Sequence, residues 1–461
     1  MTSSTEQQLR VAIVGAGPAG FYAAGALLAA DRPATVDLFD RLPTPFGLVR
    51  AGVAPDHPKI KSVTRVYEKT AAKEGFRFFG GVELGRDLHR ADLLERYHAV
   101  IYAIGAATDR RLGIPGEELP GSEAATTFVG WYNGHPDYCD HEFDLDCERV
   151  VVVGNGNVAL DCARMLALSK DELRRTDTAD HAIDALASDA VKEIVILGRR
   201  GPAQAAFTNP ELLELGELEL ADVIVDPADV ELDEHSQAWL ESDQADKTSR
   251  ENVRILREYA EREPEGKPKR IVLRFLTSPV EIQGDGQVER IVVERNRLEP
   301  REDGSLAARG TGDRDVIECG LVLRSIGYKG IPIPEVPFDE RRGTIPNVVG
   351  RVVDGEHHVT GEYVTGWIRR GPSGVIGTNK KDGQEASASL LEDAEAGLLN
   401  EPSSDGDIAE LLADRGVEAV TWEGWQRIDE HEQELGAGVR PRVKLTRYEH
   451  LHGAARGEKV G

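Results

Sequence analysis

Two stretches of the chain share one pattern: VAIVGAGPAG at residues 11–20 and VVVVGNGNVA at residues 150–159. In each, four apolar residues run into closely spaced glycines and then into a helical segment. The spacing is Gly15, Gly17 and Gly20 in the first, and Gly154, Gly156 and Ala159 in the second. The first glycine permits a tight strand-to-helix turn, the second lets the backbone approach a pyrophosphate, and the small third residue lets helix and strand pack closely. Free N–H groups and the positive end of the helix dipole then face an anion. A chain that spells this twice is expected to be an α/β protein with two Rossmann-like dinucleotide-binding domains.

The residues after the next strand separate the two turns. Past the first, ATVDLFD ends in Asp40, where an acid accepts from the hydroxyls of an unphosphorylated ribose. Past the second, VKEIVILGRRGP carries Arg199 and Arg200 instead. Two guanidiniums at the ribose position suit a 2′-phosphate, which arginine meets with a fork of donors. The plainer alternative is a solvated strand end. The pattern therefore assigns FAD to the first turn and NADPH to the second.

A length of 461 residues allows two or three domains. The net charge of −26 argues against nucleic acid or an anionic membrane surface as partner. Much of the acid falls in residues 217–246 and 392–434, both read as solvated faces. No apolar run approaches the roughly 20 residues of a membrane span. The polar start, MTSSTEQQLR, has no signal or transit character, so a cytoplasmic protein is expected. Cys139, Cys147, Cys162 and Cys319 form neither CxxC nor CxxxxC, so no metal site and no flavin-linked thiol pair is expected.

Along the chain, HAVIYAIGA reads as a returning buried strand, with a crossover near Ala107. Residues 171–190 read as an inserted helical segment. RIVLRFLTSPVEIQ and QVERIVVERNRL alternate like antiparallel strands, and CGLVLRSIGY closes that half. A late glycine-rich turn before a helix, GWIRRGPSGVIGTNKKDG, suggests a return to the first domain. The expected organisation is a discontinuous FAD-binding domain, residues 1–107 and 329–461, with an NADP-binding domain, 108–328, inserted into it.

Five segments together resemble adrenodoxin reductase and the bacterial FprA-type ferredoxin-NADP reductases: PFGLVRAGVAPDHPKIK (45–61), FVGWYNG (128–134), GNGNVALDCAR (154–164), GRRGPAQAAFTNPEL (198–212) and GWIRRGPSGVIGTNKKDG (366–383). The resemblance spans nearly the whole chain. It implies an NADPH:ferredoxin oxidoreductase with one noncovalent FAD, in which hydride passes from NADPH to FAD and single electrons pass to an iron-sulfur ferredoxin. It places Gly15, Gly17, Ala19, Gly20, Asp40, Leu48, Val82, Trp367, Gly374, Val375 and Ile376 at FAD. It places Arg110, Gly154, Asn155, Gly156, Asn157, Val158, Arg199, Arg200, Glu211 and again Gly374 at NADP. Asp40 stands where relatives often carry Glu. His57 and Glu214 match polar residues near the reacting rings and would tune the reaction, since hydride transfer itself needs no protein acid or base.

For the partner, Lys59, Lys61, Arg65 and Lys69 recur on spacings that would align charge on one exposed helical face. Arg369 and Arg370 would add to that field. The alternative activity is an NADPH-dependent flavoprotein monooxygenase. An electron-transfer subunit like the small subunit of glutamate synthase is disfavoured, because those carry cysteine clusters that this chain lacks.

Overall fold

The computed structural model describes residues 8–243, 245–302 and 305–460. It divides into two compact units: Met1–Val53 with His57–Thr108 and Gly327–Gly461, and Ala54–Asp56 with Asp109–Ile326. Both are α/β.

The first unit is built on a seven-stranded sheet in the order Asn347–Val348, Arg351–Asp354, His357–Val364, Ala99–Tyr102, Leu9–Val14, Ala34–Asp40, Phe76–Gly80. The last five run parallel, and the first three form an antiparallel ribbon at one edge. Val11, Ala12 and Ile13 have no exposed surface, as a strand covered on both faces requires. Strand Leu9–Val14 feeds helix Pro18–Leu27, whose Pro18 suits a first turn with no N–H to satisfy. The long helix Ile376–Ala396 lies against it: a Cβ on Gly383 would fall 2.8 Å from the Ala23 backbone N. Among the described residues, no helix is long and apolar enough to cross a membrane.

The second unit holds a six-stranded, all-parallel sheet in the order Ser122–Ala124, Leu321–Arg324, Arg149–Val153, Glu193–Leu197, Lys269–Arg274, Ala221–Val225. Thr277–Gln283, Arg290–Pro300 and Leu306–Glu318 form a separate antiparallel sheet. The antiparallel reading of RIVLRFLTSPVEIQ is thus correct only from Thr277 onward. Its first half enters the parallel sheet, burying Ile271 and Leu273, and the chain reverses at Leu276, which adopts φ +51°. Alternating burial on KRIVLR looks the same in either sheet. The inserted helical segment resolves into two short helices, Lys170–Leu173 and Asp180–Leu186.

In each unit the strand carrying the glycine turn lies between the next strand of the chain and one that comes later. Leu9–Val14 lies between Ala34–Asp40 and Ala99–Tyr102, and Arg149–Val153 lies between Glu193–Leu197 and Leu321–Arg324. Such switch points leave a crevice at the carboxyl ends of the strands.

Candidate functional site

Gly15 adopts φ +111°, and a Cβ there would lie 2.4 Å from the Ala103 carbonyl oxygen. A Cβ on Gly20 would lie 2.0 Å from the Gly15 oxygen, so helix and turn touch only because both residues are bare. Gly17 differs, since a Cβ there meets nothing within 4 Å. It is the N-cap of Pro18–Leu27 and offers no side-chain cap, leaving the first amides of the helix to an outside acceptor.

Asp40, read from the sequence as the ribose acid, also holds the backbone. Its Oδ2 accepts from the Ala16 N–H at 2.8 Å and its Oδ1 from Leu42 N–H at 2.9 Å, which ties the end of one strand to the glycine turn of the other. Burial pushes its carboxyl above the usual range, and the two backbone N–H groups pull the other way. Each oxygen keeps a second lone pair for a hydroxyl donor. Val82, fully buried, donates its N–H to the Asp40 carbonyl at 2.9 Å.

Two further loops close on this turn. Gly47 approaches to where its Cβ would sit 3.1 Å from Gly17 Cα, and it introduces the short helix Leu48–Ala51 with Leu48 exposed. On another side, a Cβ on Gly366 would lie 2.6 Å from the Ala19 Cβ, which brings the turn beginning at Trp367 against the first helix. The Trp367 ring packs 5.3 Å from Tyr328, and its Nε1 is buried with no hydrogen-bond partner among the described residues. Gly374 adopts φ +79° and leads into Val375, 59 % exposed, at the N-cap of Ile376–Ala396. Gly377 has nothing within 4 Å of its Cβ position. Bare cradles, an orphaned indole donor and the uncapped start of Pro18–Leu27 suit a bound dinucleotide.

Arg369 and Arg370 hold this loop in shape. Arg370 donates to Asp382 at 2.6 Å and to Asn379 at 3.0 Å, and Arg369 bonds Asn347 and Glu385. They are therefore not free cations for a docking field. Lys59 and Lys61 lie on Pro58–Lys61, and Arg65 and Lys69 on a separate helix, Thr64–Ala71. The expected single helical face is broken at Ser62–Val63. Lys59, Arg65 and Lys69 are exposed, and Lys61 is half-buried. His57, buried, precedes Pro58 as the N-cap of the first of these helices.

In the second unit the turn is drawn more tightly. Gly154 adopts φ +137°, with its Cβ position 2.1 Å from the Ser325 oxygen, and Ala159 is fully buried in the place of the third glycine. Gly156 is the N-cap of Asn157–Ala167, with no side-chain cap and nothing within 4 Å of its Cβ position. Asn155 leaves its Nδ2 buried without a partner among the described residues, Asn157 accepts from the Thr208 N–H at 2.8 Å, and Val158 packs on the core.

Arg199 and Arg200 follow strand Glu193–Leu197, Arg199 exposed and Arg200 half-buried. Their carbonyls are held by Asn296 at 2.8 Å and by Leu276 N–H at 3.0 Å. Among the described residues neither guanidinium has a hydrogen-bond or ion-pair partner. Burial lowers the pKa of Arg200, and the charges of Arg199 and Arg301 lower it further. An arginine stays protonated under such pressure, so the pair remains cationic. Arg110 is exposed just beyond Thr108–Asp109.

Glu211 and Glu214, on helix Asn209–Leu215, meet a residue that sequence reasoning left without a role. Arg164, buried, donates to Asp56 at 2.6 Å, to Asp161 at 2.6 Å and to Glu211 at 3.2 Å, with Glu214 at 4.0 Å. Burial opposes its charge, and the surrounding carboxylates outweigh that and hold it protonated. The signal lay in the i,i+3 spacing of Asp161 and Arg164 after the glycine turn. The second unit thus gathers Arg110, the glycine turn, the arginine pair, Glu211 and Glu214. Gly374 and His57 lie in the first.

The family model for pyridine nucleotide-disulphide oxidoreductases matches residues 9–196. The chain is 51 % identical over 447 residues to NADPH-ferredoxin reductase FprA of Mycobacterium leprae, covering 94 % of this chain and 96 % of that one. It is 40 % identical over 486 residues to the mitochondrial NADPH:adrenodoxin oxidoreductase of Arabidopsis thaliana, covering 98 % and 97 %. The structure of Mycobacterium tuberculosis FprA in complex with NADPH superposes with a TM-score of 0.92 at 48 % identity, over 98 % of this chain and all of that one. The chain belongs to the family of NADPH-ferredoxin reductase FprA and NADPH:adrenodoxin oxidoreductase.

Proposed function

We propose that the protein is an NADPH:ferredoxin oxidoreductase. The observation that carries this is the contrast between its two glycine turns: Asp40 bound into the first, and Arg199 and Arg200, without a partner among the described residues, beside the second. When bound, FAD accepts a hydride from NADPH and releases the electrons one at a time, chemistry that belongs to the cofactor. The protein's part is to hold and orient. Gly17 and its helix start receive the FAD pyrophosphate, Asp40 the ribose, and the Trp367 N–H a polar edge of the flavin.

Gly156 and Asn157 receive the NADP pyrophosphate, and the arginine pair receives the 2′-phosphate. Arg164 fixes Glu211, and His57 and Glu214 tune the reaction. We read the second unit as an NADP-binding domain, residues 108–328, inserted between the parts 1–107 and 329–461 of a FAD-binding domain.

The family name invites a thiol relay, which the cysteines do not support. Burial raises the Cys147 and Cys162 thiols and pushes Cys319 up to about 12, so these three stay protonated and unreactive. The relatives also favour a ferredoxin acceptor over a monooxygenase reaction. Lys59, Arg65 and Lys69 are the exposed cations we assign to an acidic iron-sulfur partner, and the demand for NADPH suits a cytoplasmic location. The test is NADPH-driven cytochrome c reduction with the purified flavoprotein. Activity should depend on added ferredoxin, and equal rates with and without it would refute the reading.

A further inference from the structure

We propose that Arg301 is a third cation for the 2′-phosphate of NADPH, a specificity-determining residue supplied by the antiparallel sheet. The proposal rests on the assignment of Arg199 and Arg200 above. The strand Arg290–Pro300 runs along the arginine turn. Asn296 donates its Nδ2 to the Arg199 carbonyl at 2.8 Å and its N–H to Leu276 at 2.6 Å, and Leu276 in turn donates to the Arg200 carbonyl at 3.0 Å. Two residues on, Leu298 comes within 3.8 Å of the Cβ position of Gly201. The strand therefore follows the chain from Arg199 to Gly201 and delivers Arg301 at its end, where the Arg301 N–H donates to Ser305 at 2.8 Å.

Charge pairing sets Arg301 apart from its neighbours. Arg295 is bonded to Asp229, Arg297 to Glu299 at 2.8 Å, and Arg274 to Asp315 at 3.1 Å. The side chains of Arg199, Arg200 and Arg301 have no such partner among the described residues, and Arg301 acts on Arg200 as a like charge. Arg200 thus lies within reach of two like charges, with no counter-ion to the three side chains among the described residues, and like charges repel. A phosphomonoester, carrying about −1.5 to −2 charges at neutral pH, relieves that repulsion better than any single carboxylate. Nothing in the glycine pattern discloses Arg301, because it arrives from a hairpin a hundred residues further along the chain.

The test is calorimetric binding of 2′,5′-ADP and of 5′-AMP to the FAD-loaded protein. Arg301→Ala should weaken 2′,5′-ADP roughly three- to tenfold, a charge-assisted contact discounted for exposure. Arg301→Glu should weaken it further, Arg301→Lys should restore most of the affinity, and 5′-AMP should respond to none of them. The salt dependence of 2′,5′-ADP binding should also flatten in Arg301→Ala. If Arg301→Glu leaves 2′,5′-ADP affinity unchanged while Arg199→Ala weakens it, Arg301 has no part and the arginine pair stands. If both ligands weaken equally in Arg301→Ala, its role is structural and the proposal fails. If Arg199→Ala with Arg200→Ala also leaves 2′,5′-ADP unaffected, the underlying assignment fails with it.

Discussion

Arg50 donates to both carboxylate oxygens of Glu432, at 2.8 and 2.5 Å, and Glu432 is wholly buried. Arg442 at 3.3 Å and the Leu445 N–H at 2.8 Å also donate to it. The pair ties helix Trp422–Gly436 to the turn Leu48–Ala51 that we assign to FAD. Breaking a buried pair leaves an uncompensated charge, so Glu432→Gln should cost about 3–5 kcal/mol at neutral pH and loosen FAD. Urea unfolding and flavin fluorescence release would read both effects.

That pair also sets a pH dependence. Burial alone would raise the Glu432 carboxyl, but Arg50, Arg442 and the Leu445 N–H outweigh it and hold it below the ordinary value of about 4.5. A depressed acid contributes stability that is complete above the unfolded pKa and is lost as pH falls through the folded one. The stability gap between wild type and Glu432→Gln should therefore be constant from neutral pH down to about 5 and close below that. A gap unchanged at pH 3 would mean that the charge is not its source.

The two bare positions of the second turn should separate folding from binding. Gly154→Ala places a Cβ 2.1 Å from the Ser325 oxygen at a positive φ, so this variant should fold poorly. Gly156→Ala meets nothing within 4 Å among the described residues, so its melting temperature should stay near wild type while the methyl group fills the space needed by a pyrophosphate. A Gly156→Ala protein with normal NADPH affinity would place the coenzyme elsewhere.

How far the sequence discloses the site depends on how local each feature is. The glycine turns, Asp40 and the arginine pair are legible because backbone geometry and the next strand end fix them within one strand-helix-strand unit. Partners far along the chain are not. Glu432 sits in an acidic run that reads as solvated, and its counter-ion is 382 residues away. Arg164 shows its i,i+3 partner in the sequence but not Asp56 or Glu211. Cys147 and Cys319 become neighbours only because strands Arg149–Val153 and Leu321–Arg324 pair, which sets the Cβ position of Gly320 2.5 Å from that of Cys147. The charge spacing from Lys59 to Lys69 reads as one helix, whereas the chain steps between two.

Docking of an acidic ferredoxin against a protein of net charge −26 requires a local cationic surface. Exposed charges act on encounter and are screened over about 10 Å at 0.1 M salt. Arg65→Glu with Lys69→Glu should slow ferredoxin reduction at low salt, matter less at high salt, and leave NADPH-ferricyanide activity intact. Stopped-flow rates across a salt series that match wild type at low ionic strength would move the docking surface elsewhere.

The assignment of NADPH to the second turn is tested most directly by kcat/KM for NADPH and NADH in Arg199→Ala with Arg200→Ala. Each contact to the 2′-phosphate contributes roughly 1.5–3 kcal/mol. The double variant should therefore lose on the order of a hundredfold or more with NADPH and use NADH nearly as the wild type does. An equal fall with both coenzymes would contradict the account.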